Sequence, residues 1–224
     1  MTTQKPNPDP SARPGEAAPA RPPRQGGLGQ TQVAVLAAAA ARLVVEEGME
    51  YASAKRKAAR ALGSRAALPS NEVVEAEVRA YLGLYCADTQ PAELRALRRL
   101  ALRWMLRLAA FRPHLGGAAW RGTATRLSSL HLDLYCDDLK SMEIALINLG
   151  IAYDSASLPS GHRSEPVTLL SIADTCAELG ETVTLHLAVR DLDDLRGALK
   201  PDPQGRSWRG DASALRRLLE GELA

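Results

Sequence analysis

Aromatic side chains are scarce in this chain. Phenylalanine occurs once among 224 residues, and all aromatics together make up 4%. The basic cluster Lys55-Arg56-Lys57 with Arg60 therefore has no interleaved rings on which bases would stack, which removes the usual platform for single-stranded nucleic acid. Cysteine is equally sparse. Cys86, Cys136 and Cys176 lie far apart with no CxxC spacing, which excludes a disulfide framework and a structural zinc site and leaves buried free thiols as the expectation. Charge of one sign is lacking too. A net charge of +2 does not draw the whole molecule to nucleic acid, so a nucleic-acid partner is left open. No apolar run is long enough for a membrane. The run from Val33 to Val45 is broken by Arg42 and falls short of the ~20 residues a span needs. The first thirty residues also lack the apolar core of a secretory signal, and the expected location is cytoplasmic. There is no GxxxxGK[ST] loop, no GxSxG elbow and no GxGxxG fingerprint, which sets aside P-loop enzymes, α/β-hydrolases and dinucleotide-binding folds.

What is present is an ordinary globular composition, 46% apolar and 24% charged, with enough length for one or two domains. The alanine and leucine bias is read as genomic rather than functional. Residues 1–30 carry seven prolines and little apolar surface, so they are expected to be a disordered tail. Residues 31–111 show helical periodicity. Helices are expected at Thr31–Glu47, at Glu50–Leu62 closed by Gly63, from Ser70 to about Tyr85, and from Pro91 to Phe111. Four helices with short turns suggest a small bundle. The basic cluster on the second helix has two readings, a phosphate contact or a solvated face, and the second is preferred.

After Pro113 the period changes, and residues 112–224 are expected to form an α+β sheet domain. Strands are expected at Ala118–Arg121, Leu130–Cys136, Ile151–Asp154, Val167–Ala173 and Thr182–Val189. Helices are expected at Leu139–Leu149, Asp191–Leu199 and Asp211–Leu223, with a polar loop at Ser155–Pro166. In Leu130–Cys136 the leucines fall on one face, and His131, Asp133 and Tyr135 fall on the other. Asp137-Asp138 suits a helix N-terminus. His114 and His162 have no evident partners and are expected at the surface or in loops. Arg190, Arg196, Arg206 and Arg209 crowd the C-terminal part, either as an anion site or as a scattered surface.

One stretch carries a family signature. Gly117-Ala118 is followed by ten residues that include Arg121-Gly122-Thr123-Ala124-Thr125 and end in Ser128, and then by Ser129-Leu130-His131. This resembles the nucleotidyltransferase superfamily with the DNA polymerase beta-like catalytic fold, and most closely its minimal bacterial members. Their signature is Gly-Ser after a first strand, ten residues, then Asp-x-Asp on a second strand. The resemblance implies that the glycine turn, with Gly117, Arg121, Gly122, Thr123, Ser128 and Ser129, lies along nucleotide phosphates. It also implies that the two aspartate positions, together with a third carboxylate from a later strand, hold divalent metal.

Here those positions have changed. Ala118 stands for the serine, Ser129 for the first aspartate and His131 for the second, and the later strand offers His186 rather than a carboxylate. Histidine is a poor ligand for magnesium. The resemblance therefore implies a nucleotidyltransferase-like protein with a degenerate site, its cleft kept for a nucleotide, an RNA end or a protein partner. Two alternatives stand beside it. His131 and Asp133, with His186, would make a transition-metal site for an active transferase, in which case the cofactor is a divalent metal with nucleotide. Or the helices serve as the interaction module of a toxin–antitoxin-like pair.

Overall fold

The computed structural model describes residues 26–138, 140–158, 167–198, 205 and 207–222. Alanine sets the geometry of its first helices. Helix α1 (Gly26–Glu47) turns Leu36, Ala37, Ala40, Ala41 and Val44 inward, and α2 (Tyr51–Ala61) meets it with Ala54 and Ala58. Side chains this small let the helix axes come close, because interaxial distance follows the size of the contacting residues. Helix α3 (Asn71–Tyr85) adds Val74, Val78 and Leu82 to the same core. Ser70 caps it by accepting the Val73 N–H at 3.3 Å. The basic cluster is largely used inside this unit. Lys55 donates to the Pro69 carbonyl and to Asn71 Oδ1, and Lys57 pairs with Glu47. The expected tail lies outside the described residues, except that 26–30 already belong to α1.

Helix α4 (Gln90–Arg107) has Pro91 in its first turn, as expected, and a 3-10 turn (Ala109–Phe111) follows it. Its stripe of Leu94, Leu97, Leu100 and Trp104 is buried in the core of the sheet rather than with α1 to α3. The expected four-helix bundle is thus a three-helix unit plus one helix laid on the sheet. The reason is the size and polarity of the stripe. Large leucines suit a sheet face, and the Trp104 indole N–H donates to Asp174 on a strand at 2.7 Å.

The fold is α+β. Five strands, β1 (His114–Gly116), β2 (Leu130–Cys136), β3 (Asp154–Leu158), β4 (Val167–Cys176) and β5 (Glu181–Asp191), form a mixed sheet in the order β1-β2-β5-β4-β3. β2 and β5 are parallel and the other pairings are antiparallel. β2 follows its sequence pattern, with Leu130, Leu132 and Leu134 buried while His131 and Asp133 stay half-buried on the opposite face. The strand expected at Ile151–Asp154 is shifted, since β3 starts only at Asp154 and runs into the expected loop to Leu158; the rest of that loop, with His162, lies outside the described residues. Among the described residues no helix is long and apolar enough to cross a membrane.

The largest departure is at 118–121. No strand forms there. Gly117 leaves the extended conformation at φ +63° and opens the short helix α5 (Gly117–Arg121). Two alanines favour helix, and Arg98 of α4 fixes the turn by donating to the carbonyls of Ala119 and Trp120 at 2.9 and 3.2 Å. Burial, then the nearby Arg79, pulls the Arg98 guanidinium down to about 10. The strand that precedes the glycine is instead β1, which pairs with β2 so that Gly116 faces His131.

Helix α6 (Lys140–Asn148) starts after Asp138, whose Oδ1 accepts the Lys140 N–H at 3.0 Å, which is the expected acidic cap. The expected helix at 191–199 breaks into a 3-10 turn (Leu192–Asp194) and the short α7 (Leu195–Ala198). Helix α8 (Ala212–Gly221) is capped by Asp211. Ahead of it, Gly210 bridges to Leu115 through two backbone hydrogen bonds of 2.9 and 3.0 Å, which bring the segment 207–211 to the edge of β1.

Candidate functional site

Four elements meet around a cavity of about 390 Å³. The junction of α1 and α2 supplies Glu50 and Tyr51. α3 supplies Asn71 and Glu75, the glycine turn supplies Gly117, Ala118 and Arg121, and β2 with its approach supplies Ser128, Ser129, His131 and Asp133. The segment before α8 closes it with Trp208 and Arg209. Gly117 is required here for two reasons. Its φ of +63° is unfavourable for a residue with a side chain, and a Cβ would stand 3.1 Å from the His131 ring.

The head of β2 is met by a carboxylate from the helical unit. Glu50 Oε1 accepts from Ser129 Oγ and lies 3.1 Å from both that oxygen and His131 Nε2. The His131 bond holds the Glu50 carboxyl below the usual carboxylate range, against the opposing effect of burial. His131 and His186 are directly opposite in the parallel pairing of β2 and β5, with ring centroids 5.1 Å apart. His186 Nδ1 is 2.9 Å from Ser171 Oγ, and burial followed by the proximity of His131 pushes its pKa down.

Asp133 lines the same cavity but is engaged by arginine. Its Oδ1 accepts from Arg190 Nε at 2.6 Å and its Oδ2 meets Arg209 at 3.0 Å. Arg209 also donates to the Tyr135 hydroxyl, whose pKa is raised by burial and by Asp133. Of the alternative metal site at His131, Asp133 and His186, the aspartate is held by two arginines. Among the described residues no three His, Cys, Asp or Glu side chains are grouped to bind a metal ion. Arg190 and Arg209 thus serve an internal aspartate, and Arg206 lies outside the described residues.

The phosphate-turn residues separate into two sets. Gly117, Arg121, Ser128 and Ser129 line the cavity. Gly122 and Thr123 do not. Gly122 ends α5 and offers its carbonyl to Gln90, while Thr123 is buried with its N–H on the Ala118 carbonyl. They close the helix rather than face the cleft. Arg121 is buried against Glu75, with Nε 3.0 Å from one carboxylate oxygen and Nη2 3.0 Å from the other, and its guanidinium lies over the Trp208 ring at 4.6 Å.

His114 is not at the surface. It is buried at the start of β1, its Nδ1 2.9 Å from the Arg112 carbonyl and its ring edge-on to Tyr135. Cys176 is buried as expected, whereas Cys86 and Cys136 are only half-buried. Lining residues that sequence reasoning does not assign to the site include Glu50, Tyr51, Asn71, Glu75 and Trp208. No local motif marks them, since Glu50 meets the site across about eighty residues of chain.

The chain matches no known protein family, and no curated protein matches its sequence. Solved structures of Cid1 match in part. Cid1 poly(U) polymerase with MgGTP bound is 16% identical over 46% of this chain and 33% of that one, at a TM-score of 0.31. Cid1 with the UTP analog UMPNPP is 18% identical at a TM-score of 0.30, and Cid1 with its short product ApU is 19% identical at 0.31. This chain spans about a third of the length of each, 31% to 33%. At such scores the likeness carries no argument about chemistry, which has to come from the residues of the cleft.

Proposed function

We propose that this is a nucleotidyltransferase-like protein whose cleft binds a nucleotide and has lost metal-dependent transfer. The observation that carries the reading is the head of β2. The turn, the strand and the later neighbouring strand stand in the order that the family resemblance implies, with Gly117 against His131 and His186 beside it. At the positions that would hold metal, Ser129, His131 and His186 offer hydroxyl and imidazole groups, which are poor ligands for a hard divalent cation. The nearest carboxylate on the strand, Asp133, is occupied by Arg190 and Arg209. That occupation also counts against an active enzyme with a rearranged His/Asp metal centre.

The cavity has the size and mixed lining of a small-ligand site, with Tyr51 and Trp208 for a base and Ser129, His131 and the glycine turn for phosphates. Calorimetric titration with ATP, GTP, CTP and UTP, in magnesium and in EDTA, tests the reading. Saturable binding of at least one nucleotide in EDTA, with no label transferred from radioactive nucleotide to protein or RNA, is the expected result. Binding that requires metal and is accompanied by transfer overturns it, as does no binding under any condition.

A further inference from the structure

Three acidic residues line the cavity, and two of them are matched by arginine. Glu75 is met by Arg79 and Arg121, and Asp133 by Arg190 and Arg209. The third, Glu50, rests on Ser129 and His131 instead, with one carboxylate oxygen 3.1 Å from both donors. We infer that Ser129 Oγ and His131 Nε2 form an anion-receiving pair, and that Glu50 fills it in the free protein as an internal stand-in for a ligand's phosphate group. The inference rests on the nucleotide-binding reading for the ligand class but not for the site itself.

The chemistry follows from the polarity of the strand head. Metal-holding aspartates are acceptors and attract a cation. A hydroxyl and an imidazole N–H are donors and attract an anion. Substituting one pair for the other reverses what the position binds, and an oxygen anion is in fact what sits there. A phosphate oxygen presents the same acceptor to the same two donors.

Glu50 is also built to leave. It occupies the N-cap position of α2, yet its side chain makes no capping hydrogen bond. Its side chain is 59% exposed, so solvent can receive the carboxylate when a ligand displaces it. No other described contact of the Glu50 carboxylate anchors it to the helical unit.

The test is a titration with inorganic pyrophosphate and with ATP, both in EDTA at one fixed pH. It uses the wild-type chain and the variants Glu50→Ala, Glu50→Gln and Glu50→Ala/His131→Gln, with thermal melts to confirm folding. Removing the competing carboxylate is expected to tighten pyrophosphate binding about fivefold or more, the factor an exposed ion pair of ~1 kcal/mol represents. Adding His131→Gln should cancel the gain. In a ¹H–¹⁵N spectrum tuned to imidazoles, the His131 signals should shift with pyrophosphate in Glu50→Ala. Glu50→Gln keeps the shape without the charge, and serves if the alanine variant unfolds.

Unchanged affinity in both Glu50 variants overturns the inference. So does a gain that survives His131→Gln, or no pyrophosphate binding by any variant. If wild type binds ATP and the Glu50 variants bind it equally, the nucleotide reading stands and the displacement fails. If pyrophosphate binds tighter to the Glu50 variants while no nucleotide binds at all, the anion pair stands and the nucleotide reading fails.

Discussion

Substituting Glu75 with glutamine should damage this protein more than any other isosteric change of one carboxylate. Glu75 and Arg121 have side chains 8% and 7% exposed, so the charge pair is almost fully removed from water. Four guanidinium nitrogens, two each from Arg79 and Arg121, converge on Glu75. The glutamine variant keeps the shape but removes the buried carboxylate charge that Arg121 and Arg79 share, a defect that costs about 3–5 kcal/mol where one partner of a buried pair is removed. For a chain of this length each kcal/mol is worth roughly 2–4 °C, so the melting point should fall by on the order of 10 °C. Urea denaturation followed by circular dichroism measures the loss. The double variant Glu75→Leu/Arg121→Met removes both charges and should recover to within about 1–2 kcal/mol of wild type, because a buried pair exchanged for apolar groups is close to neutral. A loss below about 1 kcal/mol in Glu75→Gln would refute the reasoning. So would a double variant as unstable as the sum of the two single changes. The pair joins α3 to α5, and hence two walls of the cavity, so the glutamine variant should also lose nucleotide affinity while still folded at low temperature.

Three further changes test other parts of the structure. Gly117→Ala places a side chain at φ +63° and 3.1 Å from the His131 ring, so a stability loss of about 1–2 kcal/mol in denaturant melts should accompany weaker nucleotide binding. Gly210→Ala drives a methyl to 2.1 Å from the Trp120 ring, and the overpacking should cost about 1–3 kcal/mol or more and shift the tryptophan fluorescence; an unshifted spectrum at full stability contradicts the packing. Asp174 is held below the ordinary carboxyl range because bonds from Arg103 and Trp104 outweigh burial. Its stabilising effect is therefore complete above the unfolded pKa of ~3.9 and is lost as pH falls through the folded value. Asp174→Asn should cost about 1–2 kcal/mol at neutral pH, and the gap to wild type should close as pH falls through the folded value.

Which parts of this architecture can be read from the sequence depends on the range over which each is encoded. β2 is legible because Leu130 to Leu134 alternate and the leucines can only face one way, although Tyr135 on the other face is buried as well. The caps at Ser70 and Asp138 are legible because a cap is a local hydrogen bond. β1 is not legible, since His114–Gly116 is three residues long and carries no period to detect. The missing period also explains the misplaced strand at 118–121, where the twin alanines and the carbonyl contacts of Arg98 decide for helix. The placement of α4 with the sheet hinges on Trp104 finding Asp174 seventy residues away. Gly122 and Thr123 look like phosphate-turn residues in a linear reading and prove to be the end of a five-residue helix.

The site itself shows the same limit more sharply. Sequence alone marks Ser129 and His131 as departures, and a departure reads as loss. The structure adds Glu50, whose single carboxylate oxygen meets both side chains, and the proposed anion pair rests on that contact. A strand head able to hold a cation would present acceptors to the cavity. This one presents two donors sharing a single acceptor, beside a glycine that a side chain would push into the imidazole. An occupied donor pair beside a glycine with little room for a side chain fits the proposed anion site of reversed polarity.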